Sequence, residues 1–125
     1  MISVIICTYN RQKYIYNVLK SLAEGTMPVA DYEVVLVDNN CTDDTRSEVE
    51  RFQTDFPAVQ LRYVTETNQG LSHARNRGIK ESKGDILVYV DDDATVNPGY
   101  LKTYADWFQA HPETAAAGGP NIPRY

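Results

Sequence analysis

Apolar positions along the chain change their period several times, and each change marks an element. Residues 2–7, ISVIIC, form an unbroken, β-branched run, which predicts a strand buried on both faces. From Gln12 to Ala23 the apolar positions become Tyr14, Ile15, Val18, Leu19 and Leu22, one face of a helix that Gly25 and Pro28 then break. YEVVLVD at 32–38 is a second strand. In the turn cluster NNCTDDT at 39–45, Thr42 or Asp43 is placed to cap the next helix. Val49, Phe52 and Phe56 give that helix its stripe, and Pro57 follows its end. VQLRYV at 59–64 alternates, which predicts a weaker strand at a sheet edge. Leu71, Ala74, Gly78 and Ile79 mark a helix face over residues 72–82, and ILVYV at 86–90 reads as a fourth buried strand. In NPGYLKTYADWF at 97–108, Asn97 is the expected N-cap and Pro98 the first helical residue, with Leu101, Tyr104 and Phe108 turned inward. TAAAGGP at 114–120 is expected to begin a fifth strand. Strands alternating with helices predict an α/β fold, a mostly parallel sheet flanked by helices, with the strand carboxyl ends along one edge.

Length and composition narrow this picture. A chain of 125 residues, 42% hydrophobic and 23% charged, is enough for one domain with its own core and argues against disorder. The formal charge of −5 disfavours a nucleic-acid surface, so no nucleic-acid partner is expected. Two cysteines make no disulfide framework; Cys7 is expected to be a buried thiol and Cys41 to lie in a polar loop. Met1 runs straight into the first strand, and no apolar run approaches a membrane span, so a reducing, cytoplasmic setting is expected. Membrane association through a longer natural chain stays open.

The residues after each strand gain meaning from that shared edge. They are Thr8-Tyr9-Asn10-Arg11, Asp38-Asn39-Asn40, Thr65-Glu66-Thr67-Asn68 and Asp91-Asp92-Asp93. Ligands of open α/β sheets bind in the crevice at the carboxyl ends. Three adjacent carboxylates repel, and they are relieved by solvent, by protons or by a cation. An isolated triplet is best read as an acidic turn before a helix. Behind a buried parallel strand, a divalent ion becomes the better reading, and hard oxygen ligands suit Mg2+ or Mn2+ carrying substrate phosphates. His73 and His111 have no partner at zinc-ligand spacing. A diphosphate is the natural cargo, because a bare phosphate would be repelled by the net charge. Arg75 precedes Gly78 by one turn and is placed near the cleft floor, whereas Arg77 is expected on a solvated helix face. Asp38 suits either a ribose or base contact or a turn, and Tyr9 is placed to stack on a base. There is no P-loop signature, no G-x-G-x-x-G after the first strand and no G-x-S-x-G elbow.

Taken in order, SVIICTYNR, VVLVDNNCTDDT, NQGLSHARNRGI and GDILVYVDDDA resemble the family 2 glycosyltransferases with the GT-A fold, over almost the whole chain. Any one block is weak; the four together are specific. The resemblance implies a Rossmann-like half-domain that binds a nucleotide-diphospho-sugar, often a UDP-sugar, for inverting transfer to an acceptor hydroxyl on a saccharide, lipid or protein. It implies that Asp93, with Asp91, holds the metal. Asp91 and Asp92 match residues that reach the ribose or a metal-bound water, Asp38 one that contacts the nucleoside, Thr8 and Tyr9 the loop around the base, and Arg75 the arginine beside the nucleotide. In that family the catalytic base lies in the acceptor-binding half. No residue up to Tyr125 is assigned that role, and Glu113 is expected to be merely solvated. Residues 1–125 are therefore expected to be a single donor-binding domain, truncated before the acceptor half and poorly active alone. An open sheet edge near 114–120 is expected to favour self-association. Rival readings are a nucleotidyltransferase, which wants a glycine-rich loop where TYNRQKY stands, a non-catalytic nucleotide-binding module, and a receiver domain, which wants an acidic pair after the first strand.

Overall fold

Two strands that read as continuous apolar runs take the centre of the sheet, where both faces are covered. The computed structural model describes residues 1–110. Strand β1 (Ile2–Thr8) pairs in parallel with β2 (Tyr32–Asp38) on one side and β4 (Ile86–Tyr89) on the other, and β3 (Leu61–Thr65) lies beyond β2. The order is β3-β2-β1-β4. β3 stands at an edge, as its alternation predicted, and no residue in it is fully buried.

Parallel strands need crossover connections, and helices supply them. These are α1 (Gln12–Ala23), α2 (Thr45–Asp55) and α3 (Leu71–Glu81), with a 3-10 turn at Val29–Asp31 before β2; α4 (Tyr100–Ala110) follows β4. Strand residues alternate between faces. Val4, Ile6, Val34 and Leu36 meet Ile15, Val18, Leu19, Val49, Phe52 and Leu101, the core under α1, α2 and α4. Val35 and Val37 face the other way and meet Ala74 of α3. Gly78 lets α3 lie close on the sheet: a Cβ there would sit 2.5 Å from Ile5 Cγ2.

Several boundaries and faces differ from the sequence reading. α4 starts at Tyr100, because the Asn97 side chain accepts the Gly99 N–H at 3.1 Å and closes a turn before the helix. Neither expected cap is the N-cap of α2: that residue is Asp44, which makes no side-chain cap, while Asp43 before it accepts from the Thr45 N–H at 3.1 Å and hydroxyl at 2.6 Å. Thr42 instead donates its N–H to Asn10 Oδ1 at 2.7 Å. Tyr14 lies on the solvent side of α1, and Leu71 and Ile79 are exposed, since α3 meets the sheet through its small residues. β4 is not buried on both faces. Leu87 and Tyr89 are 37% and 41% exposed, because α3 covers β1 and β2 rather than β4. The expected fifth strand and its open edge lie outside the described residues. Among the described residues, no helix is long and apolar enough to cross a membrane.

Candidate functional site

Strands β1 and β4 are neighbours whose chains diverge. β1 feeds α1 on one face of the sheet, while β4 is reached through α3 on the other. Divergence at adjacent carboxyl ends opens a crevice. A cavity of about 470 Å3 lies there. Its wall takes Thr8, Tyr9 and Arg11 from the end of β1, Asp91, Asp92 and Asp93 from the end of β4, and Gly70, Leu71 and Arg75 from the start of α3.

The local backbone explains the meeting. Asn10 and Asn40 turn their loops with positive φ, a conformation asparagine tolerates better than most residues. Asn39 is buried and fully used: its amide donates to the Glu66 and Asn68 carbonyls at 3.0 and 2.9 Å, and its Oδ1 accepts the Gly70 N–H at 3.0 Å. It thereby ties the end of β2 to the start of α3. Gly70 takes a φ of 130°, which a side chain would strain.

The acidic triplet is not uniform. Asp92 keeps only 15% of its side chain exposed, against 48% for Asp93. Burial pushes the Asp92 carboxyl up; the Thr8 hydroxyl and Arg11 oppose this, Asp93 and Asp91 add to it, and the net shift is upward. Thr8 Oγ1 is buried without a full hydrogen bond, although it faces Asp92 closely enough to favour the charged form. Arg11 stands over the triplet, Nε 4.0 Å from Asp92 Oδ2 and Nη1 3.9 Å from Asp93 Oδ2. The Arg75 guanidinium lies over the Tyr89 ring, 5.3 Å from its centroid. Tyr9, 51% exposed, stands at the mouth. Cys7 is half-buried rather than buried and also lines the wall; burial raises its thiol to about 11, so it stays protonated at neutral pH.

The structure thus gathers Thr8, Tyr9, Arg75, Asp91, Asp92 and Asp93, and it leaves Asp38 out of the wall. Asp38 is register partner to Thr8, but its Oδ1 accepts the Cys41 N–H at 2.7 Å and its Oδ2 accepts the Tyr63 hydroxyl. Asp38 therefore stands beside Thr8 at the same sheet edge, with its carboxylate engaged by Cys41 and by a tyrosine on the next strand. Arg77 is corrected. It is half-buried, bound to Glu66 at 3.1 Å and Glu81 at 3.5 Å, rather than free in solvent. Arg11 and Asn39 were missed as site residues. The available signal was their position directly after strands, which the acidic triplet overshadowed.

Among the described residues, no three His, Cys, Asp or Glu side chains are arranged to enclose a metal ion. The triplet offers hard carboxylate oxygens in a partly dry wall, a donor set suited to an ion that completes its shell with water and substrate oxygens.

Comparison with known proteins adds a family. The model for Glycosyl transferase family 2 matches residues 3–123. The chain is 31% identical over 130 residues to the glucosyl-dolichyl phosphate glucuronosyltransferase of Haloferax volcanii, covering 98% of this chain and 38% of that one. It is similar to Staphylococcus aureus TarS 1–349 in complex with UDP-GlcNAc, with a TM-score of 0.81 at 34% identity over 89% of this chain and 32% of that one. It is equally similar to the mannosyltransferase PcManGT from Pyrobaculum calidifontis in complex with GDP-Man and Mn2+, with a TM-score of 0.81 at 34% identity over 86% and 32%. The chain spans well under half the length of these relatives.

Proposed function

The chain belongs to the glycosyl transferase family 2 and has the GT-A type of α/β fold, and on that footing we propose that its cavity binds a nucleotide-diphospho-sugar, most simply a UDP-sugar, with a divalent ion. One observation carries this reading. Thr8, Tyr9, Arg75 and the acidic triplet, which come from three separate stretches of chain, line one crevice at the sheet's switch point. Related proteins of known structure bind UDP-GlcNAc, or GDP-Man with Mn2+, on a similar fold.

In this reading Asp93 and Asp91 would hold Mg2+ or Mn2+, the diphosphate completing its shell. The ion supplies Lewis-acid neutralisation of the charge that builds on the departing diphosphate. Arg75, steadied on Tyr89, adds a second positive charge at the same wall. Tyr9 offers a ring to the base at the mouth. Thr8 and Asp92 form the floor against the ribose. Asp38, beside Thr8 in the register, keeps acceptor capacity for the nucleoside after its bonds from Cys41 and Tyr63. The base that activates the acceptor hydroxyl, on a saccharide, lipid or protein, and the acceptor site itself are assigned to chain beyond this donor domain. Inversion at the anomeric carbon and a cytoplasmic setting complete the reading, with membrane association of a longer chain and self-association left open.

Thermal unfolding with UDP, GDP and dTDP, each with and without Mn2+, tests it. The cognate nucleotide at a hundred times its Kd should add about 2.7 kcal/mol. Asp93→Asn should abolish the metal-dependent part and keep the fold. No shift with any nucleotide, with or without Mn2+, would sink the reading.

A further inference from the structure

Arg11 occupies a position that its own helix does not favour. It is the N-cap residue of α1, where Ser, Thr, Asp or Asn is preferred, and it makes no side-chain cap. It also brings a cation to the positive end of a helix whose first turn holds no acidic residue. The capping role has passed to Asp43, which accepts the Gln12 N–H at 3.1 Å from another loop. A residue that breaks a local rule points to a gain elsewhere. Here the gain is visible: the Arg11 guanidinium spans Asp92 and Asp93 on the cavity wall.

Those contacts differ from the arginine pairs made to the other well-buried carboxylates, Glu33 and Glu66, and among the described residues match in length only the exposed helix-surface pair Arg46–Glu50 at 3.9 Å. Arg62 meets Glu33 at 2.9 Å and Arg77 meets Glu66 at 3.1 Å, both hydrogen-bonded. Arg11 stands at 4.0 and 3.9 Å, beyond hydrogen-bond reach, with 48% of its side chain exposed. Coulomb attraction alone holds it, and exposed pairs of that kind are weak. Beneath it, Thr8 Oγ1 is buried beside Asp92 without completing a full hydrogen bond. The wall is therefore neutralised without being fully satisfied.

We propose that Arg11 is the resting counter-ion of Asp92 and Asp93, exchanged for the divalent ion when the donor arrives and so released to bind the donor's diphosphate. This rests on the donor-site reading above. One guanidinium would do two things in turn: keep the empty triplet from repelling itself, and then join Arg75 as a second arginine on the phosphates. The exchange gives loss of Arg11 opposite effects on the two ligands.

Calorimetric titration of the 125-residue chain with Mn2+ alone, and then with UDP at saturating Mn2+, separates them. Arg11→Gln should bind Mn2+ about two- to fivefold more tightly, because a weak competitor is gone. It should bind UDP about tenfold more weakly, because a charge-assisted contact is lost. Arg11→Lys should restore both toward wild type. Tighter Mn2+ with unchanged UDP overturns the transfer to the diphosphate, and weaker UDP with unchanged Mn2+ overturns the counter-ion role. Equal weakening of both, or a shifted urea midpoint with loss of helical circular dichroism, assigns Arg11 a structural role and overturns the exchange. If wild type binds neither ligand, the donor site fails with it. If wild type binds both and Arg11→Gln is indistinguishable, only the exchange fails.

Discussion

Glu33 and Asp92 are carboxylates at opposite ends of one sheet, and the protein treats them in opposite ways. Glu33, the second residue of β2, is 3% exposed and satisfied on every side. It accepts from the Ser3 hydroxyl at 2.6 Å, the Lys83 N–H at 2.7 Å and Arg62 at 2.9 Å. Burial alone pushes its carboxyl up, but those three partners outweigh burial and hold it below its ordinary range. Asp92, just past β4, meets burial with Arg11 at 4.0 Å and two acidic neighbours, and its carboxyl moves up. The amino-terminal edge is built for the fold alone. The carboxyl-terminal edge holds charge that the fold has not finished neutralising, which is what a site awaiting a cation and a diphosphate requires.

The contrast is sharpest under substitution. Glu33→Gln strips a charge from three donors and leaves Arg62, 30% exposed, without its carboxylate. It should lower stability by about 2–3 kcal/mol, read as the urea midpoint. Asp92→Asn should do the reverse. It removes a charge that burial and its acidic neighbours disfavour, and loses the approach of the Thr8 hydroxyl and a long ion pair to Arg11, which together do not offset burial, so stability should rise by about 1 kcal/mol or less, while UDP affinity falls. If Asp92→Asn destabilised the chain as Glu33→Gln does, the two edges would be equivalent and the contrast would vanish.

The sequence exposes these two regions unequally. Asp91–Asp93 stand out because three like charges after an apolar run are costly unless something relieves them, and strand–helix alternation predicts which edge they share. Glu33 hides inside YEVVLVD, since its partners Ser3, Arg62 and Lys83 come from other strands and a turn. Arg11 was hidden for a related reason: a cation at a helix start looks like local noise until β4 is placed beside β1. Asp38 is legible from its position at the end of β2; the hydroxyl that Tyr63 donates to it from the next strand is not. The exposed faces of Leu87 and Tyr89 depend on which strands α3 covers, and that is a property of strand order. Elements and edges are local or periodic, and so legible. Side-chain direction is set by neighbours distant in the chain.

Acid titration gives the smallest and most discriminating effect. Glu33 binds its proton less readily in the folded state than its ordinary value of 4.5 implies. Its contribution is therefore fully present above about pH 4.5 and is lost as pH falls through the lower folded value. Asp92 is raised above its ordinary 3.8. Its charge disfavours folding above the raised value, and stability returns as pH falls from there toward 3.8. Urea midpoints from pH 7 down to about pH 3.5 should then show two convergences. The deficit of Glu33→Gln should narrow toward the acid end because wild type loses the same advantage. The gain of Asp92→Asn should also narrow, from the other side, because wild-type Asp92 becomes neutral. A gain in Asp92→Asn that held constant across the range would trace to packing rather than charge, and the carboxyl-terminal edge would lose its claim to unrelieved electrostatic strain.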